Sequence, residues 1–206
     1  MTAGREALRR LREGNGRFVA NVRSMETFAS SARRAELAAA QKPFAIVLGC
    51  SDSRVPVEIV FDQGLGDLFV IRVAGNIVAP SLIGSVEYAA AQYGTPLVVV
   101  LGHSQCGAII ATLDQLRKPT TNQSPNLKSI VDRIRPSVED LLQLRPAMDN
   151  ASLVRRAVRA NILASVQQLR HGSAIIESLV SGRGLLVTGA EYSLETGAVE
   201  FLEETL

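Results

Sequence analysis

Both cysteines of this 206-residue chain stand in two short polar stretches, residues 49–54 (GCSDSR) and 102–107 (GHSQCG). The second stretch also carries one of the two histidines, and the first carries Asp52 and Arg54. Two thiols, an imidazole and a carboxylate share one natural partner. Zinc is borderline-soft and tetrahedral, and accepts sulfur, imidazole nitrogen and carboxylate oxygen. The spacing of His103 and Cys106 lets one loop supply two ligands. Cys50, His103 and Cys106 together leave a fourth position for water or for Asp52. Three protein ligands with an open position is the catalytic zinc arrangement, whereas four closed ligands make a structural site. The alternative for the thiols, a Cys50–Cys106 disulfide or two inert buried cysteines, leaves His103 and Asp52 without a role.

The elements that must position these residues are legible from the flanking runs. Residues 43–48 (PFAIVL) and 96–101 (PLVVVL) are too short for helices and rich in β-branched residues, so they are expected as buried strands. Each ends in a glycine followed by polar residues. In a parallel sheet, neighbouring strands end on one edge, where ligands collect. The pattern therefore brings Cys50, Asp52, Arg54, His103 and Cys106 together across more than fifty positions. Further strands are expected at 68–73, 184–194 and 198–202, the last two bracketing Glu195-Thr196-Gly197. Helices are expected at 4–22, 31–40, 56–60, 81–93, 107–116, 127–144, 151–170 and 174–180. In the first, Leu8, Leu11, Phe18 and Val22 fall near one face, while Gly14 and Gly16 weaken its middle. Residues 118–126 and 145–150 read as connections. The fold class is α/β: a central, mainly parallel sheet flanked by helices, with an antiparallel edge strand near the C-terminus and an N-terminal helical arm.

Cys50, Asp52 and Arg54 alternate, so an extended loop points them to one side. A guanidinium can hold a carboxylate bidentately and keep it ionised. Asp52 is then able to accept a hydrogen bond from a hydroxide on zinc. Two thiolates make zinc a weaker acidifier of water than imidazoles do, so such a hydrogen bond is a useful compensation. A plain salt bridge in a loop is the ordinary alternative for the pair. Gly102 and Gly107 suit close backbone approach at the metal loop. His171 falls at the C-terminus of an expected helix, where an imidazole meets the helix dipole favourably, and is read as structural.

Cys-Ser-Asp-Ser-Arg followed later by His-Ser-x-Cys-Gly resembles the β-class carbonic anhydrases. The resemblance runs from residues 11–18 (LREGNGRF) to 187–192 (VTGAEY), nearly the whole chain. It implies one Zn2+ per chain and reversible hydration of carbon dioxide to bicarbonate and a proton. Cys50, His103 and Cys106 would be the metal ligands. Asp52 would orient a zinc-bound hydroxide with Arg54 behind it, or replace the water as fourth ligand in a closed state. Gln41, Phe69 and Tyr88 match substrate contacts of plant-type members, with Gly102 and Gly107 beside them. Ala74 departs from those members, which tend to carry Val there. A second variant of the family has a regulatory bicarbonate site built from Trp, Arg and Tyr. Arg72 matches its Arg, but Val47 stands in place of its Trp and the chain has no Trp. That site is therefore expected to be missing, which leaves Arg72 a structural role. The resemblance also implies a homo-oligomer, dimer or tetramer, clasped by N-terminal helices. A related enzyme acting on carbon disulfide, or a closed structural zinc protein, would use the same ligands.

One domain is expected over 1–206, with residues 1–40 as the arm and 41–206 as the α/β core. Hydrophobic residues make up 47% and charged residues 20%, ordinary for a soluble domain. A net charge of +2 offers no electrostatic case for nucleic acid or a membrane surface. No apolar run approaches the roughly 20 residues that span a bilayer. The first ten residues (MTAGREALRR) lack the apolar segment of a secretory signal, which favours a cytoplasmic protein.

Overall fold

The computed structural model describes residues 2–22, 30–120, 124–144 and 148–202. Met1, residues 23–29 of the expected arm, parts of both expected connections (121–123 and 145–147) and residues 203–206 lie outside them.

Five strands form one sheet: β1 (Ala45–Gly49), β2 (Leu68–Arg72), β3 (Leu97–His103), β4 (Leu186–Tyr192) and β5 (Val199–Leu202). Their order is β2-β1-β3-β4-β5. The first four are parallel, and β5 runs antiparallel to β4 at the edge, as expected. β1 and β3 are buried along their whole length. Covered on both faces, they read as unbroken apolar runs in the sequence.

The pleat sends alternate residues into two cores. Ile46, Leu48, Val98, Val100 and Val187 enter one. Helices α4 (Pro80–Gln92), α5 (Gly107–Arg117), α6 (Pro125–Val138), α7 (Asn150–His171) and α8 (Ala174–Arg183) cover that side. Ala45, Val47, Leu97, Val99 and Leu101 enter the other, under α1 (Ala3–Val19) and α3 (Val57–Val60). A further helix, α2 (Ser31–Leu37), carries no buried residue and ends three residues before the expected boundary. The helix expected over 127–144 gives way after Val138 to a 3-10 turn, Glu139–Gln143. Pro136 lies in its last α-helical turn, where a residue without a backbone N–H weakens further α-helical pairing.

Helix α1 packs on its own sheet. Its buried face is Gly4, Ala7, Leu11, Gly14 and Asn15, while Val22 falls beyond the helix and is exposed. Gly14, which weakens the helix on propensity, is what lets it dock: a Cβ there would sit 1.9 Å from the Phe61 carbonyl oxygen. Asn15 stitches the helix to the body. Its Nδ2 donates to the carbonyls of Val60 (3.1 Å) and Gly197 (2.9 Å), and its Oδ1 accepts from Val199 N–H (2.8 Å).

The chain leaves β1 towards β2 and then crosses to β3 on the other side of β1. β1 and β3 therefore flank the point where the winding reverses. In open α/β sheets, the carboxyl ends of the two strands at that point leave a crevice.

Candidate metal centre

Cys50 follows the last residue of β1, and His103 is the last residue of β3. Cys106 is the N-cap of α5, so its sulfur faces the start of that helix. The sheet thus delivers all three into the crevice. One ligand atom from each of Cys50, His103 and Cys106 lies within 4.8 Å of the others. All three side chains are buried, and neither cysteine is in a disulfide.

The three side chains have the chemistry of a metal-binding set. His103 Nδ1 lies 2.9 Å from the Ser104 carbonyl oxygen. A carbonyl only accepts, so Nδ1 carries the proton and Nε2 keeps its lone pair. Nε2 is fully buried and has no hydrogen-bond partner among the described residues. A buried nitrogen lone pair beside two sulfurs is costly unless something binds it. The two thiols form a hydrogen-bonded pair. Cys50 is held low, chiefly by the bond from Cys106, with the Gly75 N–H (3.3 Å to Sγ) adding to it against the cost of burial. Cys106 is pushed up, because it gives the proton to that bond and is buried. The thiolate is the form that binds metal, and the lowered Cys50 favours it. The set fits Zn2+ as a three-ligand site.

Asp52 and Arg54 stand at the mouth. Arg54 donates through Nε to Asp52 Oδ1 (2.9 Å) and through a terminal nitrogen to Oδ2 (2.8 Å), and its backbone N–H also reaches Oδ1 (3.0 Å). The guanidinium beside Asp52 holds its carboxyl well below the usual carboxylate range. Asp52 Oδ2 lies 3.8 Å from His103 Nε2, so the carboxylate borders the ligand set. Arg54 is about half exposed. Its terminal nitrogen also approaches the Gln105 carbonyl (3.5 Å), linking the two metal loops. Gln105 sits in the left-handed region at φ 54°, which lets the loop turn between His103 and Cys106.

Arg72 makes a specific structural contact. From the end of β2 it donates to the carbonyls of Cys50 (2.9 Å) and Asp52 (2.6 Å), bracing the first metal loop. Nothing in its spacing marks that contact, which depends on the register pairing Arg72 with Gly49. The N–H of Gly75 on the Cys50 sulfur was likewise not legible in the sequence.

Of the expected substrate contacts, Gly102 and Gly107 flank the ligand residues His103 and Cys106, whereas Gln41, Phe69 and Tyr88 lie away from this centre within one chain. Gln41 Nε2 donates to the Tyr93 hydroxyl (3.0 Å), which lies 3.1 Å from the Tyr88 hydroxyl. Phe69 packs beside both tyrosines, with ring centroids 6.4 and 6.3 Å away. This aromatic group lies toward the amino ends of the strands. Phe69 pairs with Ile46, four residues before Cys50 and roughly 13 Å along the strand. Tyr93, which the sequence reading did not single out, is its hub. Gly102 lies close against α7: a Cβ there would meet Ile162 at 2.5 Å. Gly107 opens α5, and a Cβ there would meet nothing within 4 Å. His171 lies in the last turn of α7, exposed, with Nδ1 3.7 Å from Glu177.

A mainly parallel five-stranded α/β sheet with a Cys-His-Cys cluster at its reversal point defines a class. The carbonic anhydrase family model matches residues 45–199. The chain belongs to the β-carbonic anhydrase family, a family of enzymes. It is 41% identical over 191 residues to carbonic anhydrase 2 of Mycobacterium tuberculosis, covering 93% of this chain and 89% of that protein. Among solved structures, it resembles the β-carbonic anhydrase CafA of Aspergillus fumigatus with a TM-score of 0.73 and 26% identity, over 83% of each chain. It also resembles one of two tetrameric β-carbonic anhydrases from Sordaria macrospora, with a TM-score of 0.70 and 27% identity, over 82% of this chain and 84% of that one. Among the described residues, no helix is long and apolar enough to cross a membrane.

Proposed function

We propose that this chain catalyses the reversible hydration of carbon dioxide to bicarbonate and a proton, with one Zn2+ held by Cys50, His103 and Cys106. The observation that carries the reading is the meeting of these three ligand atoms with a carboxylate that an arginine keeps ionised. Zinc in such a site supplies a Lewis acid that makes water nucleophilic near neutral pH. The chain's own residues do the rest. Ionised Asp52 accepts a hydrogen bond from the attacking water and turns its lone pair towards the carbon of the substrate. Arg54 fixes the carboxylate's direction and prevents Asp52 from taking the proton permanently. The buried apolar walls around Cys50 and Cys106 limit bulk water.

The open arrangement is favoured over a closed structural site. Arg54 engages both oxygens of Asp52, so moving that carboxylate into the ligand set would cost a bidentate ion pair. Plant-type behaviour without bicarbonate regulation is the subgroup reading, since Val47 is a fully buried core residue and Arg72 is occupied with loop carbonyls. Gln41, Phe69 and Tyr88 act on substrate in this reading only if a second copy presents them to the centre. A homo-oligomer meets that need, and the Sordaria relatives are tetrameric. The protein is proposed to work in the cytoplasm.

Stopped-flow hydration of carbon dioxide, on protein of measured zinc content from about pH 6.5 to 9, tests the reading. A zinc-dependent rate with a simple rise in pH, lost in Cys106→Ser together with the metal, is expected. One tightly held zinc per chain with no rate at any pH would overturn it.

A further inference from the structure

Helix α7 presents an apolar stripe to the sheet, and two polar residues interrupt it. Val154, Ala157, Val158, Ile162, Val166 and Leu169 are buried there, and so are Asn161 (2% exposed) and Ser165 (4%). Buried polar side chains in an apolar face carry a desolvation cost that calls for partners. Both find them in one place, the turn Ala74–Asn76 after β2. Asn161 Nδ2 donates to the Gly75 carbonyl at 2.8 Å, and Ser165 Oγ to the Asn76 carbonyl at 3.2 Å.

That turn is the one whose Gly75 N–H reaches the Cys50 sulfur. Gly75 adopts φ 72° and ψ 18°. Glycine has many other conformations open to it, so this one needs an external anchor. The amide and the carbonyl of Gly75 flank the same two torsions. Asn161 holds the carbonyl end and Cys50 meets the amide end, so anchoring the carbonyl narrows the φ and ψ open to Gly75 and with them the directions open to its N–H.

We infer that Asn161, supported by Ser165, is a positioning residue for the metal centre: it holds the Ala74–Asn76 turn so that the Gly75 N–H hydrogen-bonds the Cys50 sulfur. A hydrogen bond to a ligating sulfur withdraws charge from it and sets its orientation, and outer partners of this kind tune metal sites. The bland role for Asn161 is to satisfy a buried carbonyl with no effect on the sulfur. The inference rests on the metal-centre reading above.

The test replaces zinc by Co2+, whose thiolate-to-metal charge-transfer absorption reports the electron density on sulfur. Asn161→Leu keeps the volume and removes the donor, and Asn161→Ser shortens the side chain out of reach. Val158→Ala, a buried core truncation on the same helix, controls for lost stability. In both Asn161 variants the charge-transfer band moves to lower energy. The Gly75 amide proton, followed by NMR in the zinc protein, exchanges with solvent faster by about tenfold or more, and metal is held about tenfold more weakly. Val158→Ala leaves band and amide unchanged. Asn161 variants that fold, with the wild-type band and a fully protected Gly75 amide, would overturn the inference while leaving the metal centre intact. A wild-type protein with no charge-transfer band would instead sink the metal-centre reading, and this inference with it.

Discussion

Gly102→Ala separates two reasons for a glycine beside His103. A glycine kept for substrate approach would lose turnover on substitution and leave stability alone. The structure gives a different reason. A Cβ at residue 102 would lie 2.5 Å from Ile162 Cδ1 and 2.6 Å from Ile162 Cγ1, about 1 Å inside ordinary contact. Ile162 is fully buried, so its side chain cannot swing into solvent. Overpacking of this kind costs typically about 1–3 kcal/mol. Relief from glycine's unfolded-state entropy returns about 0.4–1 kcal/mol. Together these span about 0–2.6 kcal/mol, and a contact this short against a fully buried side chain places the net loss in the upper half, about 1.3–2.6 kcal/mol, a fall in Tm of roughly 3–10 °C for a chain of this size. Ile162→Ala alone removes both colliding atoms and costs about 2–5 kcal/mol. In the double variant, the new methyl occupies part of the space vacated. Its stability should therefore exceed the additive expectation by at least about 1 kcal/mol. Urea unfolding of the four proteins at one protein concentration, with zinc content measured in each, gives the cycle. Additive losses, or Gly102→Ala at wild-type stability, would refute the packing argument and return Gly102 to the substrate side.

Gly14→Ala should destabilise the protein by about 2 kcal/mol or more, against a helix propensity that favours alanine by about 1 kcal/mol, because the new methyl meets the Phe61 carbonyl oxygen at 1.9 Å; an unchanged or raised Tm would show that α1 does not dock there. Arg54→Ala should lower kcat/KM by about 10–100-fold with zinc content unchanged, since it frees Asp52 to protonate and rotate; retained activity would remove Arg54 from the mechanism. Glu191, largely buried on β4, has its carboxyl pushed up by burial, so its ionised form opposes folding above its unfolded pKa. A raised folded pKa gives stability that is present in acid and lost as pH rises. Glu191→Gln should therefore raise Tm at pH 7, with the gain fading toward pH 4; a lower Tm at pH 7 would mean that the Arg159 ion pair outweighs the desolvation.

The apolar runs ending in Gly-Cys and Gly-His were enough to place two strands, the three candidate ligands near their carboxyl ends and the α/β class. A buried parallel strand declares itself by continuous β-branched residues, and the crevice at strand ends follows from how such sheets wind. Asp52 and Arg54 were legible for a similar reason: their pairing is local, set by a spacing of two. What sequence left open depends on contacts between distant segments. Arg72 braces carbonyls that only sheet register brings to it. Gly14 and Gly102 look like weak points on propensity, yet they are where another element comes closest. Asn15 and Asn161 look like polar interruptions of apolar faces until their carbonyl partners, 45 and 86 positions away, are in place. Gln41, Phe69 and Tyr88 were chosen by resemblance, and the tertiary structure gathers them around Tyr93 rather than around Cys50. Local periodicity decides which residues are buried, but which buried groups meet is decided by the packing of whole elements.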